Sequence, residues 1–344
     1  MTPAEQEFSS GGFRGSCDLT VAIVTRNRAG LLDRALASLG GADKPPGLSY
    51  EILVVLNACT DRSEVVVRRH ARQLPVRFLD EPCPGISHAR NAAIGACSGR
   101  VIAWIDDDVV VGRSWFEAYA RALAAHPGAA FFGGPIEPLF EGEIPPWFHQ
   151  TWRLFSDVFA VRHVPCDAPV HFRYLPYGAN YAVRSDWQRR FAYDPGLGRR
   201  PGFLLIGGEE TALLNSILAA GGRGQWIADA RVQHVISGER RTRRHLVRHY
   251  AGNGYRVGCA VRAAGGSQTF PVVLGVIRMT AFAGAVVVGT LAARPAFWVR
   301  ALRRAAFEAG CVMGRMNNDR VPEVSPRAAS AADVSSTPEK GGRP

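Results

Sequence analysis

The segment "VIAWIDDDVV" (101–110) carries an apolar run into three consecutive aspartates, Asp106, Asp107 and Asp108. Carboxylates gathered at one point repel each other unless a cation sits among them. A hard divalent ion, Mg2+ or Mn2+, accepts carboxylate oxygens and can bridge them to phosphate oxygens. When charge grows on a departing diphosphate, the same ion stabilises it as a Lewis acid. An Asp-x-Asp spacing just past a strand suits that task, because a turn can aim two carboxylates at one point. A second acidic pair, Glu209-Glu210, opens the apolar-periodic segment "GGEETALLNSILAAGG" (207–222). A carboxylate there can take a proton from a hydroxyl, and the start of a helix favours its ionised form. Successive helix residues differ by about 100°, so the two carboxylates do not share one face.

The elements needed to position these groups are written in the first half of the chain. "LTVAIVT" (19–25), "EILVVLN" (51–57), "VRFLDE" (76–81) and "VIAWI" (101–105) read as buried strands. Helical periodicity falls between them, at 29–41, 63–74 and 86–99. Short strands alternating with helices predict βαβ units around a parallel sheet, with ligands beyond the carboxyl ends of the strands. Thr25-Arg26-Asn27, Asn57 and Asp106-Asp107-Asp108 all fall on that one edge. No G-x-G-x-x-G follows the first strand and no G-x-x-x-x-G-K-[ST] occurs, so a nucleotide here needs another hold on its phosphates.

With 344 residues, 47% hydrophobic content and a mean hydropathy of −0.03, the chain has the make-up of a globular protein. The net charge of +11 comes almost wholly from arginine, since Lys44 and Lys340 are the only lysines. Arginine spread along most of the chain argues against nucleic-acid binding and for anionic partners such as phosphates or a membrane surface. Seven scattered cysteines form no C-x-x-C pair, which points to reduced thiols in a cytoplasmic setting. The polar start, "MTPAEQEFSSGGFRGSCD", has no apolar signal core.

Six segments in order, "VAIVTRNR", "EILVVLNACTD", "ARNAAI", "IDDDVV", "GANYAVR" and "GGEETALL", resemble the family 2 glycosyltransferases of the GT-A fold. The resemblance covers about residues 18–250. It implies a Rossmann-like mixed α/β sheet flanked by helices, a nucleotide-diphosphate sugar donor, a divalent cation and a hydroxyl acceptor. It also implies inverting transfer. In that family the first two strand ends hold the nucleoside, which implies Thr25, Arg26, Asn27 and Asn57 here, and places Arg90 near the diphosphate or base. The Asp-x-Asp motif maps to Asp106 and Asp108, with Asp108 the nearer metal ligand, Asp106 toward the nucleotide, and Asp107 between them at the donor. Glu210 takes the position of the base. His234 stands where relatives carry a third metal ligand; the other reading of a histidine in a half-buried strand is structural. Trp147 and Asn180 fall in the acceptor-side loops. The family's acidic residue at the second strand end is Leu56 here, which leaves the nucleoside open, with Asn57 as the substitute partner. Two rival readings are a haloacid-dehalogenase-type phosphohydrolase, in which Asp106 attacks phosphorus, and a non-catalytic nucleotide-binding relative.

The expected organisation is a disordered tail over 1–17, a GT-A domain over 18–237, a basic and apolar helical region over 238–318, and a disordered tail over 319–344. In the helical region, seven arginines between 240 and 262 precede the long apolar stretch 270–293, interrupted by Arg278. Its uninterrupted part, 279–293, is shorter than the ~20 residues a spanning helix requires. An apolar helix among arginines predicts peripheral association with the anionic inner face of the cell membrane. The alternatives are a helix packed on the catalytic domain or one that spans.

Overall fold

The computed structural model describes residues 17–199, 202, 204–265 and 269–317. Three βα units open the chain: β1 (Cys17–Thr25), α1 (Ala29–Gly41), β2 (Tyr50–Asn57), α2 (Ser63–His70), β3 (Val76–Glu81) and α3 (Ile86–Ala96), followed by β4 (Gly99–Asp106). The four strands are parallel, in the order β3-β2-β1-β4, as the alternation predicts. They are near-continuous apolar runs because both faces are covered. Val21 and Ile23 of β1 join Leu32 and Leu36 of α1 on one face, while Ala22 joins Ala89 and Ala93 of α3 on the other.

The chain then changes plan. β5 (Val109–Val111), α4 (Trp115–Ala125), β6 (Phe131–Gly133), β7 (Ile136–Phe140), α5 (Pro146–Thr151), β8 (Ala168–Pro169) and β9 (Asn180–Arg184) come next. They are followed by α6 (Ser185–Arg190), α7 (Glu209–Ala219), β10 (Gly224–Trp226) and β11 (Val232–Ile236). β9 runs antiparallel between β4 and β6, so the eight-stranded sheet is mixed, with the order β3-β2-β1-β4-β9-β6-β10-β8. β5, β11 and β7 make a separate small sheet. Asn180, expected at an acceptor loop, is instead a knot in the core. Its Nδ2 donates to the carbonyls of Pro135 and Ala230, and its Oδ1 accepts from Trp115 Nε1 and the Tyr119 hydroxyl.

The chain divides into two units. Among the described residues, 17–199, 202 and 208–246 form the first, and 204–207, 247–265 and 269–317 form the second. The first unit runs past the boundary expected at 237, because Arg241 donates to the carbonyls of Glu141 and Gly142 and Leu246 is fully buried. The second unit is built from α8 (Arg243–Ala263), which enters it from Val247 on, α9 (Thr269–Leu291) and α10 (Pro295–Met316). α8 and α10 touch backbone to backbone: a Cβ at Gly310 would overlap the carbonyl of Ala251, and one at Gly314 that of Tyr255. The amide of Leu205 donates to the carbonyl of Arg248 at 3.2 Å within the same unit. Among the described residues one helix, Pro271–Leu291, is long and apolar enough to cross a membrane, and 11% of it is buried.

Replacing Asn180 with Ala strands two buried donors and two buried carbonyls. An unsatisfied buried group costs about 1–3 kcal/mol, so a loss of at least ~2 kcal/mol is expected in a urea melt. An unchanged midpoint would show that the amide knot does not hold the sheet.

Candidate active site

The parallel register sets the site. Val24 pairs with Asp106 and Thr25 with Leu56, so the ends of β1, β2 and β4 lie side by side at one edge. Beyond Asp106 the chain turns through Asp107 and Asp108 into β5, whose antiparallel partner β11 sets His234 opposite Val109. The amide of Val235 donates to the carbonyl of Asp108, which fixes His234 beside that aspartate.

Asp106 is half-buried, whereas Asp107 and Asp108 are buried. Asp107 accepts from Thr25 Oγ1 at 2.7 Å and from Arg28 Nη1 at 2.9 Å. Burial, opposed by Arg28, pushes its pKa up to about 6. Asp108 is held the other way. Burial would raise it, but the positive charge around it, Arg240 and Arg28 included, keeps it well below the usual carboxylate range. Its Oδ2 accepts from Arg240 Nη1 at 2.8 Å and from Arg28 Nη1 at 3.2 Å.

The pair Asp108–His234 fits a divalent cation. His234 Nδ1 donates to the carbonyl of Phe159 at 2.6 Å, which leaves the lone pair on Nε2. Asp108 Oδ1 accepts no hydrogen bond, and His234 Nε2 lies 3.1 Å from it. An orphaned carboxylate oxygen beside an imidazole lone pair is a two-atom ligand set. Hard cations at phosphates commonly use one or two protein ligands and take the rest from phosphate and water. The expected third ligand does not converge. Asp106 Oδ1 lies 3.8 Å from Arg90 Nη2, and among the described residues no three His, Cys, Asp or Glu side chains surround one point.

Arg90 corrects the expectation that it meets the diphosphate or base. It is 2% exposed, and its Nη1 donates to Glu209 Oε1 at 2.8 Å. The rings of Trp104, Tyr181 and Tyr193 surround the guanidinium at 5.3–5.8 Å. A side chain at Gly178 would come within 2.8 Å of Arg90 Nη2. The "ARN" segment is therefore a clamp, since Asn91 also exchanges two hydrogen bonds with the backbone of Tyr193.

α7 begins after Gly208, whose φ of 100° is the left-handed conformation that glycine adopts without strain. Glu209 is buried and Glu210 half-buried, so the acidic pair splits into an inner and an outer carboxylate as the helical angle predicts. The helix start does not keep Glu210 acidic. Burial first, and the neighbouring charge of Glu209 second, push its pKa up to about 7 against the pull of Arg90.

Three of the other expected nucleoside contacts, Asn57, Asn27 and Thr25, are already engaged within the chain. Asn57 donates through Nδ2 to the carbonyls of Glu81 and Cys83, and its Oδ1 accepts from the Gly85 amide, so it clamps the loop before α3. Asn27 is exposed and accepts from the Thr60 amide. Thr25 is buried against Asp107. Arg26 is half-buried, with Nη1 unpartnered. Three residues that hold the site, Arg28, Glu209 and Arg240, lie outside the expected set. "TRNR" and "GERR" contain two of them but carry no signal beyond local basic charge. Among the described residues the phosphohydrolase reading finds no suitable lysine, because Lys44 Nζ donates to the carbonyls of Leu39 and Gly40 at the end of α1; Lys340 lies outside the described residues.

A mixed sheet of this order, with carboxylates at its parallel edge, is the GT-A architecture of glycosyltransferases. Residues 20–173 match the model of glycosyl transferase family 2. A solved mannosyltransferase from Pyrobaculum calidifontis, in complex with GDP-Man and Mn2+, shares the fold. Its TM-score is 0.58 at 18% identity, over 90% of each chain. The succinoglycan biosynthesis protein ExoM of Rhizobium meliloti is 24% identical over 91% of this chain and 98% of its own. Validoxylamine A glucosyltransferase of Streptomyces hygroscopicus subsp. limoneus is 32% identical over 114 residues, which is 33% of this chain and 24% of that protein. The match to this relative spans about a quarter of its length.

The raised Glu210 carboxyl makes a signed prediction. The native state holds this proton more tightly than the unfolded chain, whose ordinary value is 4.5. The stability it contributes is complete below about 4.5 and is lost as pH rises through about 7. Denaturant melts of Glu210→Gln should lack that decline, while Glu209→Gln, which removes the neighbouring charge, should move it to lower pH. A decline of the same size and position in all three proteins would refute the assignment.

Proposed function

We propose that the chain is an inverting, metal-dependent glycosyltransferase that moves a sugar from a nucleotide-diphosphate donor to a hydroxyl acceptor. One observation carries this reading. Arg90 lies 2.8 Å from Glu209 and 3.8 Å from Asp106, so a single guanidinium joins the acidic helix start to the aspartate edge. Donor-side and acceptor-side chemistry then occupy one site. Glu210, with its pKa near 7, accepts the proton of the acceptor hydroxyl as that oxygen attacks the anomeric carbon. A single displacement opposite the leaving diphosphate inverts the anomeric configuration. Arg28 holds Asp107 and Asp108 in place while charge develops on the diphosphate. A Mg2+ or Mn2+ held by Asp108 and His234 would supply Lewis-acid charge for that leaving group. The GDP-Man and Mn2+ bound by the mannosyltransferase of the same fold support a nucleotide-sugar donor. The near full-length likeness to ExoM supports a role in polysaccharide biosynthesis.

The test is release of nucleoside diphosphate from a panel of UDP- and GDP-sugars, with Mn2+ and a membrane extract as acceptor source. Glu210→Gln should lower turnover at least ~10²-fold with donor affinity little changed, the scale of a lost general base. Full activity in Glu210→Gln would remove the base from this helix. No turnover in the native chain, with donor still bound, would favour the non-catalytic relative.

We infer further that the second unit docks the enzyme, peripherally, on the anionic inner face of the cell membrane. α9 leaves Val273, Val276, Ile277, Val287, Val288 and Leu291 exposed, so it is not covered as a packed helix would be. It also does not lie alone. Gly275 meets Val312 and Gly289 meets Trp298, so α10 runs along its whole length. A spanning α9 would draw Arg300, Arg303 and Arg304 of α10 into hydrocarbon, at roughly 2.5–3.5 kcal/mol each. A hairpin lying in the interface avoids that cost. The protein should sediment with vesicles containing phosphatidylglycerol and be released by 1 M salt or alkaline carbonate, with salt acting through screening. Resistance to carbonate would mean a spanning helix, and no sedimentation would mean no membrane partner.

A further inference from the structure

Arg240 engages one of the two atoms that fit a cation, His234 Nε2, together with the other oxygen of the Asp108 carboxylate. Its Nη1 donates to Asp108 Oδ2 at 2.8 Å and to His234 Nε2 at 3.0 Å. The imidazole Nε2 has one lone pair, because the ring proton is on Nδ1 against Phe159. That lone pair serves either an N–H from Arg240 or a metal ion. It cannot serve both.

The guanidinium is not at rest in this position. Its Nη2 is buried without a hydrogen-bond partner, an arrangement that costs free energy. Arg28 and Arg199 bring like charge to it, while Asp108 and Asp106 attract it. It closes the short turn Gly238–Arg240 directly after β11, so the side chain hangs from a turn and not from the sheet.

We propose that the Arg240 guanidinium and a divalent cation are alternative occupants of one place on Asp108 and His234, and that the cation's arrival releases Arg240 onto the donor's diphosphate. This rests on the metal-dependent reading above. Without a cation, Arg240 neutralises the buried carboxylate. With one, three arginines (28, 199 and 240) face a site that accepts a diphosphate, the anion that guanidinium groups hold best. Cation and diphosphate therefore strengthen each other's binding, each by the same factor.

The test is Mn2+ binding to the full chain without nucleotide, read by electron paramagnetic resonance of the free ion. Arg240→Ala should bind Mn2+ at least ~10-fold more tightly than the native chain, because the competing occupant is gone. Arg240→Gln, which keeps part of the stem and a donor, should fall between them and guards against misfolding of the alanine variant. Pyrophosphate, corrected for its own Mn2+ complex, should tighten Mn2+ binding in the native chain and lose that effect in Arg240→Ala. Equal or weaker Mn2+ binding in both Arg240 variants would overturn the exclusion. If no protein binds Mn2+ and Asp108→Ala changes nothing, the metal-dependent reading itself fails, and this inference fails with it.

Discussion

A guanidinium removed almost wholly from water is tolerated only where charge and aromatic faces replace its hydration. Arg90 meets that condition through Glu209 on one side and three aromatic rings around it. Those partners come from β4, β9, the loop after α6 and the start of α7, segments far apart in the chain. The α7 start is otherwise anchored by little, since its N-cap is a glycine without a side chain to bond the first turn. Breaking a buried pair by removing one partner costs about 3–5 kcal/mol. The first turn of the acidic helix is thus tied to the sheet by this ion pair, while Leu213, Leu214 and Ile217 bury the rest of the helix in the core.

The aspartate triplet depends on the same kind of balance, arranged differently at each position. Asp107 is tied to the end of β1 by Thr25 and Arg28, whereas Asp108 is tied to the small sheet by His234 and Arg240. Asp106 keeps partial exposure, with the guanidinium of Arg90 3.8 Å away. Adjacent carboxylates with such unlike surroundings separate in proton affinity, which allows two of them to stay buried side by side. Asp106 is therefore a half-open carboxylate, Asp107 a strand anchor and Asp108 a buried carboxylate tied to the small sheet, in an order set by the turn after β4.

Much of this was legible in the sequence where periodicity and position speak together. The strands at 19–25, 51–57 and 101–105 are apolar on both faces, and their polar ends assemble at one edge. The mixed sheet was legible only through resemblance, because β9 and β10 are short and nothing local states that β9 runs against β4. Side-chain roles were harder to read. Asn57 and Asn180 look like free amides in a sequence, but each is saturated by partners contributed from other segments. Arg28 and Arg240 were hidden by an arginine-rich composition in which a functional guanidinium resembles its neighbours. The helix start at Glu210 misled for a physical reason, because burial and an adjacent carboxylate outweigh the terminal dipole.

The bond from the Leu205 amide to the Arg248 carbonyl has a practical consequence for dividing this chain. The chain crosses into the helical unit at 204–207 and returns at Gly208, immediately before the acidic helix start. A cut after Leu246 therefore does not remove a tail from an intact core. It removes the partner of a strand of backbone that leads directly into Glu209 and Glu210. Fragments designed by linear truncation would carry that loose lead-in, whereas a division that leaves the crossing segment and its partner in the same polypeptide would not.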